Sequence, residues 1–200
     1  MPHSLSDSEI QRTLNLLNGR LARNGAPPTG IVVCGGAALI VLGLNQRTTN
    51  DVDIVALSDE ARTLYAPAPL PEHLLQAAME VALALRLPAD WLNNGPSRDE
   101  GGLFQMGLPE GFAARLHPQK YGSHLTVFFI DRIDQIHFKL YAAVDRGGYH
   151  ISDLELLQPT DDELISAARW AMTHDVSPGF RVLLKTLLES LGHANAAQAI

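Results

Sequence analysis

The sequence predicts an α/β (α+β) fold: a small sheet flanked by helices, followed by a C-terminal helical bundle. Three observations lead there. Between Ile31 and Ala56, an apolar strand run, a Gly35-Gly36 pair, a short apolar helix and a second strand succeed one another. Elsewhere, Ser/Thr-x-x-Glu capping boxes precede apolar residues at helical spacing. Beyond residue 157, every remaining apolar stretch reads as helix. The chain of 200 residues suits one domain with a helical appendage, divided as 1–157 and 158–200.

Taken in order, Ser6-x-x-Glu9 opens a helix with Ile10, Leu14, Leu17 and Leu21 inward and Gly25 as its stop. The turn Ala26-Pro27-Pro28-Thr29-Gly30 feeds a buried strand, Ile31 to Cys34. Cys34, the single cysteine, is a small core residue. Gly35-Gly36 turns into a helix from Ala37 to Leu44, and a polar loop (Asn45 to Asn50) leads to a strand carrying Asp51 and Asp53. Past Pro67, Pro69 and Pro71, a helix runs from Glu72 to Leu85, with Leu74, Leu75, Ala78, Val81, Ala82 and Leu85 inward. The stretch from Trp91 to Gly111 shows no period. Within it, Trp91, Asn93, Asn94 and Arg98 are candidates to flank a cleft, with Trp91 as a core anchor the commoner reading.

Phe112 to Leu116 and His124 to Ile130 read as an antiparallel hairpin closed by a turn over residues 117–123, and Asp131 ends its second strand. The next helix, Ile133 to Arg146, buries Ile133, Ile136, Leu140, Ala143 and Val144. Lys139 lies beside that stripe, either snorkelling to water or facing an interior cleft. Gly147-Gly148 ends it, and Ser152-x-x-Glu155 opens another helix with Asp153 in its first turn. Thr160-x-x-Glu163 starts a helix through Thr173, and Ser177-Pro178 caps the last one, with Phe180, Leu183, Leu184, Leu187, Leu188 and Leu191 on its apolar face.

The chemistry concentrates at Asp51-x-Asp53. Strand residues two apart share a face, so these carboxylates project together while Val52 and Ile54 pack on the other side. Two carboxylates so close repel unless a cation or a proton lies between them, and oxygen-only ligands suit Mg²⁺ completed by water and substrate phosphates. The Gly35-Gly36 turn, lacking Cβ atoms, lets a phosphate approach the backbone at a helix start. The eight histidines include no close pair at ligand spacing, which argues against a zinc site.

Gly35-Gly36 followed by Arg47-x-Thr49-x-Asp51-x-Asp53 resembles the signature of minimal nucleotidyltransferases of the DNA polymerase β-like superfamily. The nearest likeness is to the branch with AbiEii-type toxins and related bacterial proteins. A second block, Lys139-Leu140-Tyr141-Ala142, Asp145-Arg146 and Ser152-Asp153-Leu154, is similar to the family's lysine-bearing helix and the helix after it, and Leu87-Pro-x-x-Trp91-Leu-Asn93 also has a counterpart there. The resemblance covers roughly residues 28–157 and implies a nucleotidyltransferase core of a small mixed sheet. It implies Asp51 and Asp53 as metal-binding catalytic carboxylates, Gly35, Gly36, Arg47 and Thr49 as nucleotide-binding residues, and Lys139 and Asp153 as catalytic residues, Asp153 also being a candidate partner for Lys139. Asp131 is the candidate third carboxylate for the metal, with capping of the next helix as its alternative. For Arg47 a structural salt bridge is the alternative to a phosphate contact, and for Asp153 a helix-dipole role.

The implied activity is Mg²⁺-dependent transfer of a nucleoside monophosphate from an NTP to an acceptor the sequence does not select, whether RNA or tRNA, a protein side chain or a small molecule, in a toxin-like setting. The alternative is an inactive binding module of the same fold. A net charge of −7 argues against a protein that coats nucleic acid non-specifically. No Gly-x₄-Gly-Lys-Ser/Thr pattern supports a P-loop enzyme. The N-terminus carries neither a basic n-region nor an apolar h-region, no membrane is expected as a partner, and the expected location is cytoplasmic. The C-terminal helices are the expected surface for any oligomer.

Overall fold

Strand β1 (Thr29–Cys34) is buried along its whole length, and its neighbours follow from that. It pairs antiparallel with β2 (Val52–Ser58) on one side and parallel with β6 (Leu125–Phe129) on the other. The structure, a computed structural model, describes residues 4–59, 61–99 and 101–200. It divides into two compact units, Met1–Ile130 and Asp131–Ile200.

Among the described residues the first unit holds a mixed sheet of six strands in the order β3-β2-β1-β6-β5, with β4 also pairing β2. Strand β3 (Leu64–Tyr65) is antiparallel to the far end of β2, and β4 (Leu92–Asn93) is parallel to its start. Strand β5 (His117–Lys120) is antiparallel to β6 at the sheet edge. Helix α1 (Asp7–Arg23) begins at the expected capping box, the Ser6 amide donating to Glu9 Oε2 at 2.8 Å, and buries Ile10, Leu14, Leu17 and Leu21. Its polar flank holds the β5–β6 hairpin: Tyr121 Oη and Gln119 Nε2 both donate to Gln11 Oε1 at 2.8 Å. Burial pushes the Tyr121 phenol well above its ordinary pKa, so it remains a donor.

Helix α2 (Gly35–Val41) starts at the glycines themselves rather than at Ala37, and it stops three residues before the expected Leu44. Helix α3 (Glu72–Leu85) has the expected bounds but a shifted inner face: Ala77 is buried and Leu75 is exposed. The stretch after Trp91 is short pieces: β4, a 3₁₀ turn at Gly95–Ser97 and α4 (Leu103–Met106). Trp91 is a core anchor, fully buried with Nε1 donating to the Ala78 carbonyl at 3.0 Å. The expected hairpin is displaced along the chain. Residues 112–115 form α5 (Phe112–Arg115), and the segment expected as a turn is β5. Ala113 and Ala114 favour helix, and Pro118 is tolerated because β5 is an edge strand.

The second unit is helical throughout: α6 (Arg132–Arg146), α7 (Tyr149–Leu156), α8 (Asp161–His174), α9 (Pro178–Ser190) and α10 (Ala194–Gln198). Helix α6 does not have a single apolar stripe. Residues Asp134 to Leu140 are all buried, whereas Ile133 is exposed. Helix α7 starts directly after Gly147 and Gly148, both at positive φ (60° and 59°), so the Ser152-x-x-Glu155 pattern lies inside it and Asp153 is not in its first turn. Caps at Thr160 and Ser177 open α8 and α9 as the sequence indicates. On α9 only Phe180, Leu184 and Leu188 of the expected face are buried, and Leu183 is exposed.

Arg132 ties this unit together. Its guanidinium meets Glu163 with two bonds (2.6 and 3.1 Å) and donates to the Leu157 and Gln158 carbonyls, each at 2.9 Å. Glu163 is also the reciprocal partner in the Thr160 capping box. The Arg132 bonds hold the Glu163 carboxyl below the usual carboxylate range. A depressed folded-state pKa gives stability that is complete above the ordinary glutamate range and lost as pH falls through the folded value. Glu163→Gln is therefore expected to lower stability at pH 7 by about 1 kcal/mol. It should also flatten the acid limb of a thermal-unfolding series between neutral and acidic pH.

Candidate active site

The candidate site of the first unit is built on the corner where β1 becomes α2. Gly35 takes φ +68°, a left-handed conformation that side-chain-bearing residues rarely adopt. Contact imposes a second constraint. A Cβ on Gly35 would stand 3.0 Å from Asp53 Oδ2, and one on Gly36 would stand 2.7 Å from Thr49 Oγ1 and 3.0 Å from Thr49 Cβ. The volume two methyl groups would fill is thus occupied by a carboxylate and a hydroxyl.

Strand register puts Asp53 there. β2 pairs with β1 as Val32 with Ala56, then shifts so that Val33 faces Ile54 and Cys34 faces Asp53. Val55 is the residue left over, a bulge of the kind that re-aims a side chain. Asp53 consequently lies opposite the residue that precedes Gly35. Asp51 stands just outside the strand, not in it as the sequence suggested, but the alternation holds: Val52 and Ile54 are buried, and Asp51 and Asp53 are half-buried. Thr49 Oγ1 donates to Asp51 Oδ1 at 3.3 Å while packing over Gly36. Both carboxylates therefore reach the same corner, Asp53 directly and Asp51 through Thr49.

Two backbone clamps and one made by a side chain hold this geometry. Leu5 and Thr49 exchange hydrogen bonds of 2.6 and 3.0 Å, fixing the loop to the residue ahead of α1. The Val52 amide donates to the Trp91 carbonyl at 2.6 Å, and Asp53 is paired with Asn93 on β4. Asn45, itself buried, accepts from the Arg47 amide at 3.0 Å and tightens the loop start. Arg47 is exposed in that loop. Sequence reasoning found the corner and its acids but not these clamps. Those at Leu5 and Trp91 are backbone contacts and leave no side-chain pattern to read.

This site suits a hard divalent cation. Its donors are oxygen, two are half-buried carboxylates, and Gly35 and Gly36 are only partly buried although Asp53 and Thr49 cover one side of them. Helix α2 spans only seven residues, so its dipole is a lesser contribution than the close backbone approach the glycines permit.

In the second unit, Lys139 and Asp153 form a buried ion pair, Nζ donating to Asp153 Oδ2 at 2.7 Å, with the ammonium also 5.6 Å from the Tyr149 ring centroid. The lysine does not snorkel to water. His137 is held by the Ile133 carbonyl at 2.8 Å and stands edge-on to Trp170. Asp131 is the N-cap of α6, accepting from the Ile133 amide at 2.9 Å. Among the described residues no group of three His, Cys, Asp or Glu side chains is spaced to hold a metal, and no helix is long and apolar enough to cross a membrane.

No curated protein and no solved structure matches the chain. A family model does, over residues 9–177, a span that includes every candidate site residue named above. With most of its length matched, the chain belongs to the family of nucleotidyltransferases of unknown function designated DUF6036.

Proposed function

We propose that the chain transfers a nucleoside monophosphate from an NTP to an acceptor, with Asp51 and Asp53 holding Mg²⁺ and the Gly35–Gly36 corner admitting the triphosphate. The observation that supports this reading most is the shared corner: one carboxylate over Gly35, and the other hydrogen-bonded to the threonine over Gly36. Mg²⁺ held by Asp51 and Asp53 would supply charge neutralisation at the phosphate oxygens. Asp51 and Asp53 fix its place relative to the corner, Arg47 and Thr49 flank the phosphates, and the glycines allow the chain to lie against them. An acceptor oxygen then attacks the α-phosphorus in line. The bond from that phosphorus to the bridging oxygen breaks, pyrophosphate leaves, and the acceptor's proton passes to solvent.

Lys139 and Asp153 are carried as catalytic candidates on their sequence block, which lies within the family match. The AbiEii-type likeness favours RNA or tRNA as acceptor in a toxin-like role, with a protein side chain and a small molecule as the other candidates. Because the chain carries a net charge of −7, an RNA acceptor requires a local basic patch and binding that weakens steeply with salt. A second reading, a non-catalytic nucleotide-binding module, is favoured by Asp131, whose carboxylate is engaged as the N-cap of α6.

Incubation with each labelled NTP, Mg²⁺ and total RNA or protein separates the two. Label moving to a macromolecule supports transfer, and nucleotide binding without transfer supports the module. Asp51→Ala and Asp53→Ala are each expected to cut transfer at least about a hundredfold with the far-UV spectrum unchanged. Activity surviving in both would defeat the assignment. Gly36→Ala must displace Thr49. It is expected to cost about 1–3 kcal/mol in thermal unfolding and to raise the NTP concentration needed for half-maximal transfer.

The ion pair gives a separate test. Lys139→Met strands a buried carboxylate and is expected to cost about 3–5 kcal/mol, whereas Lys139→Met with Asp153→Leu recovers most of that loss. If the folded double variant transfers at the wild-type rate, the pair is structural only.

A further inference from the structure

Helix α3 leaves a second, unused apolar face. Leu74, Ala77, Ala78, Val81 and Ala82 are buried, but Leu75, Met79 and Leu83 are exposed to 48%, 61% and 77%. Spaced four apart, these three lie within about 40° of one line along the helix. Glu72, at its first position, and Arg86, its C-cap, fall on the same line at the two ends. Both are exposed, and neither takes part in an ion pair among the described residues.

We propose that this face is one half of a two-fold interface between two copies of the chain, with α3 packing antiparallel on α3 and Met79 on the axis. In that arrangement each residue meets the one equally far from Met79 on the other side. Leu75 faces the second copy's Leu83, and Glu72 faces the second copy's Arg86, twice over by symmetry. A face whose apolar and charged positions are both complementary under the same two-fold is what an isologous contact requires.

The helix's other charges are spent inside the chain. Glu80 accepts from Asn24 at 3.0 Å and lies 3.7 Å from Arg20, and His73 meets Thr29 Oγ1 at 3.0 Å. The exposed apolar residues of α9 lack this property. Val182 and Leu183 are adjacent and point apart, and a two-fold pairing Arg181 with Glu189 would set Lys185 against itself. One helix stripe buries less than the ~800 Å² per partner of a standard interface, so the dimer is weak and reversible, on the micromolar scale.

Sedimentation velocity of the full chain from about 1 to about 200 µM tests this, and the expected result is a monomer–dimer shift across that range. Met79→Glu places like charges on the axis and is expected to weaken association on the order of a hundredfold or more. Its exposed position leaves folding, checked by circular dichroism, intact. Monomer at every concentration overturns the proposal and gives the stripe to a different partner; a dimer of unchanged affinity in Met79→Glu also overturns it. For the register, Glu72→Arg and Arg86→Glu should each weaken the dimer about tenfold, while their equimolar mixture recovers, because both end pairs are again of opposite charge. A mixture that associates no better than either variant alone overturns the antiparallel arrangement.

Discussion

Side-chain oxygens occupy the space that two Cβ atoms would need at Gly35 and Gly36. Much of the first unit's construction follows from that steric fact. A carboxylate can press against a strand-to-helix corner only if the neighbouring strand delivers it in register, which is what the shift between Val32 and Val33 accomplishes. A hydroxyl can cover the second glycine only if the preceding loop is pinned, and the Leu5–Thr49 bridge pins it. Backbone hydrogen bonds do most of this positioning. They fix where the two acids stand relative to the corner.

The second unit follows a different economy. Its central helix buries Asp134, Gln135, His137 and Lys139 in one run, with Asp153 supplied from α7. Burying ions is costly, and replacing such a pair by apolar residues often stabilises a protein, so a buried lysine–aspartate pair is weak evidence of a purely structural purpose. Arg132 is easier to explain. It satisfies carbonyls at the end of α7 and the carboxylate that caps α8, groups that would otherwise need water.

Much of this was legible in the sequence because local rules govern it. Capping boxes at Ser6 and Thr160, the Ser177-Pro178 start and the Glu72–Leu85 periodicity all mark helices where they occur. The corner and its acids were legible for the same reason: two glycines and an alternating Asp-x-Asp leave few arrangements. What escaped depended on tertiary context. Pro118 reads as a turn former until β6 is available to make β5 an edge strand. Ser152 reads as a cap until Gly147 and Gly148 start α7 earlier. The all-round burial of α6 has no periodic signature, because neighbouring helices on several sides cover it. The clamps at Leu5 and Trp91 are backbone contacts, which no side-chain pattern encodes.

Direct titration of nucleotide, with and without Mg²⁺, into the wild-type chain and into Asp53→Asn tests the central claim most closely. Asp53 is the acid that a side chain at Gly35 would meet, so binding should require the metal in the wild type and fall to background in the variant. Metal-independent nucleotide binding of equal affinity in both proteins would contradict the account, because the carboxylate over the corner would then have no part in holding the triphosphate.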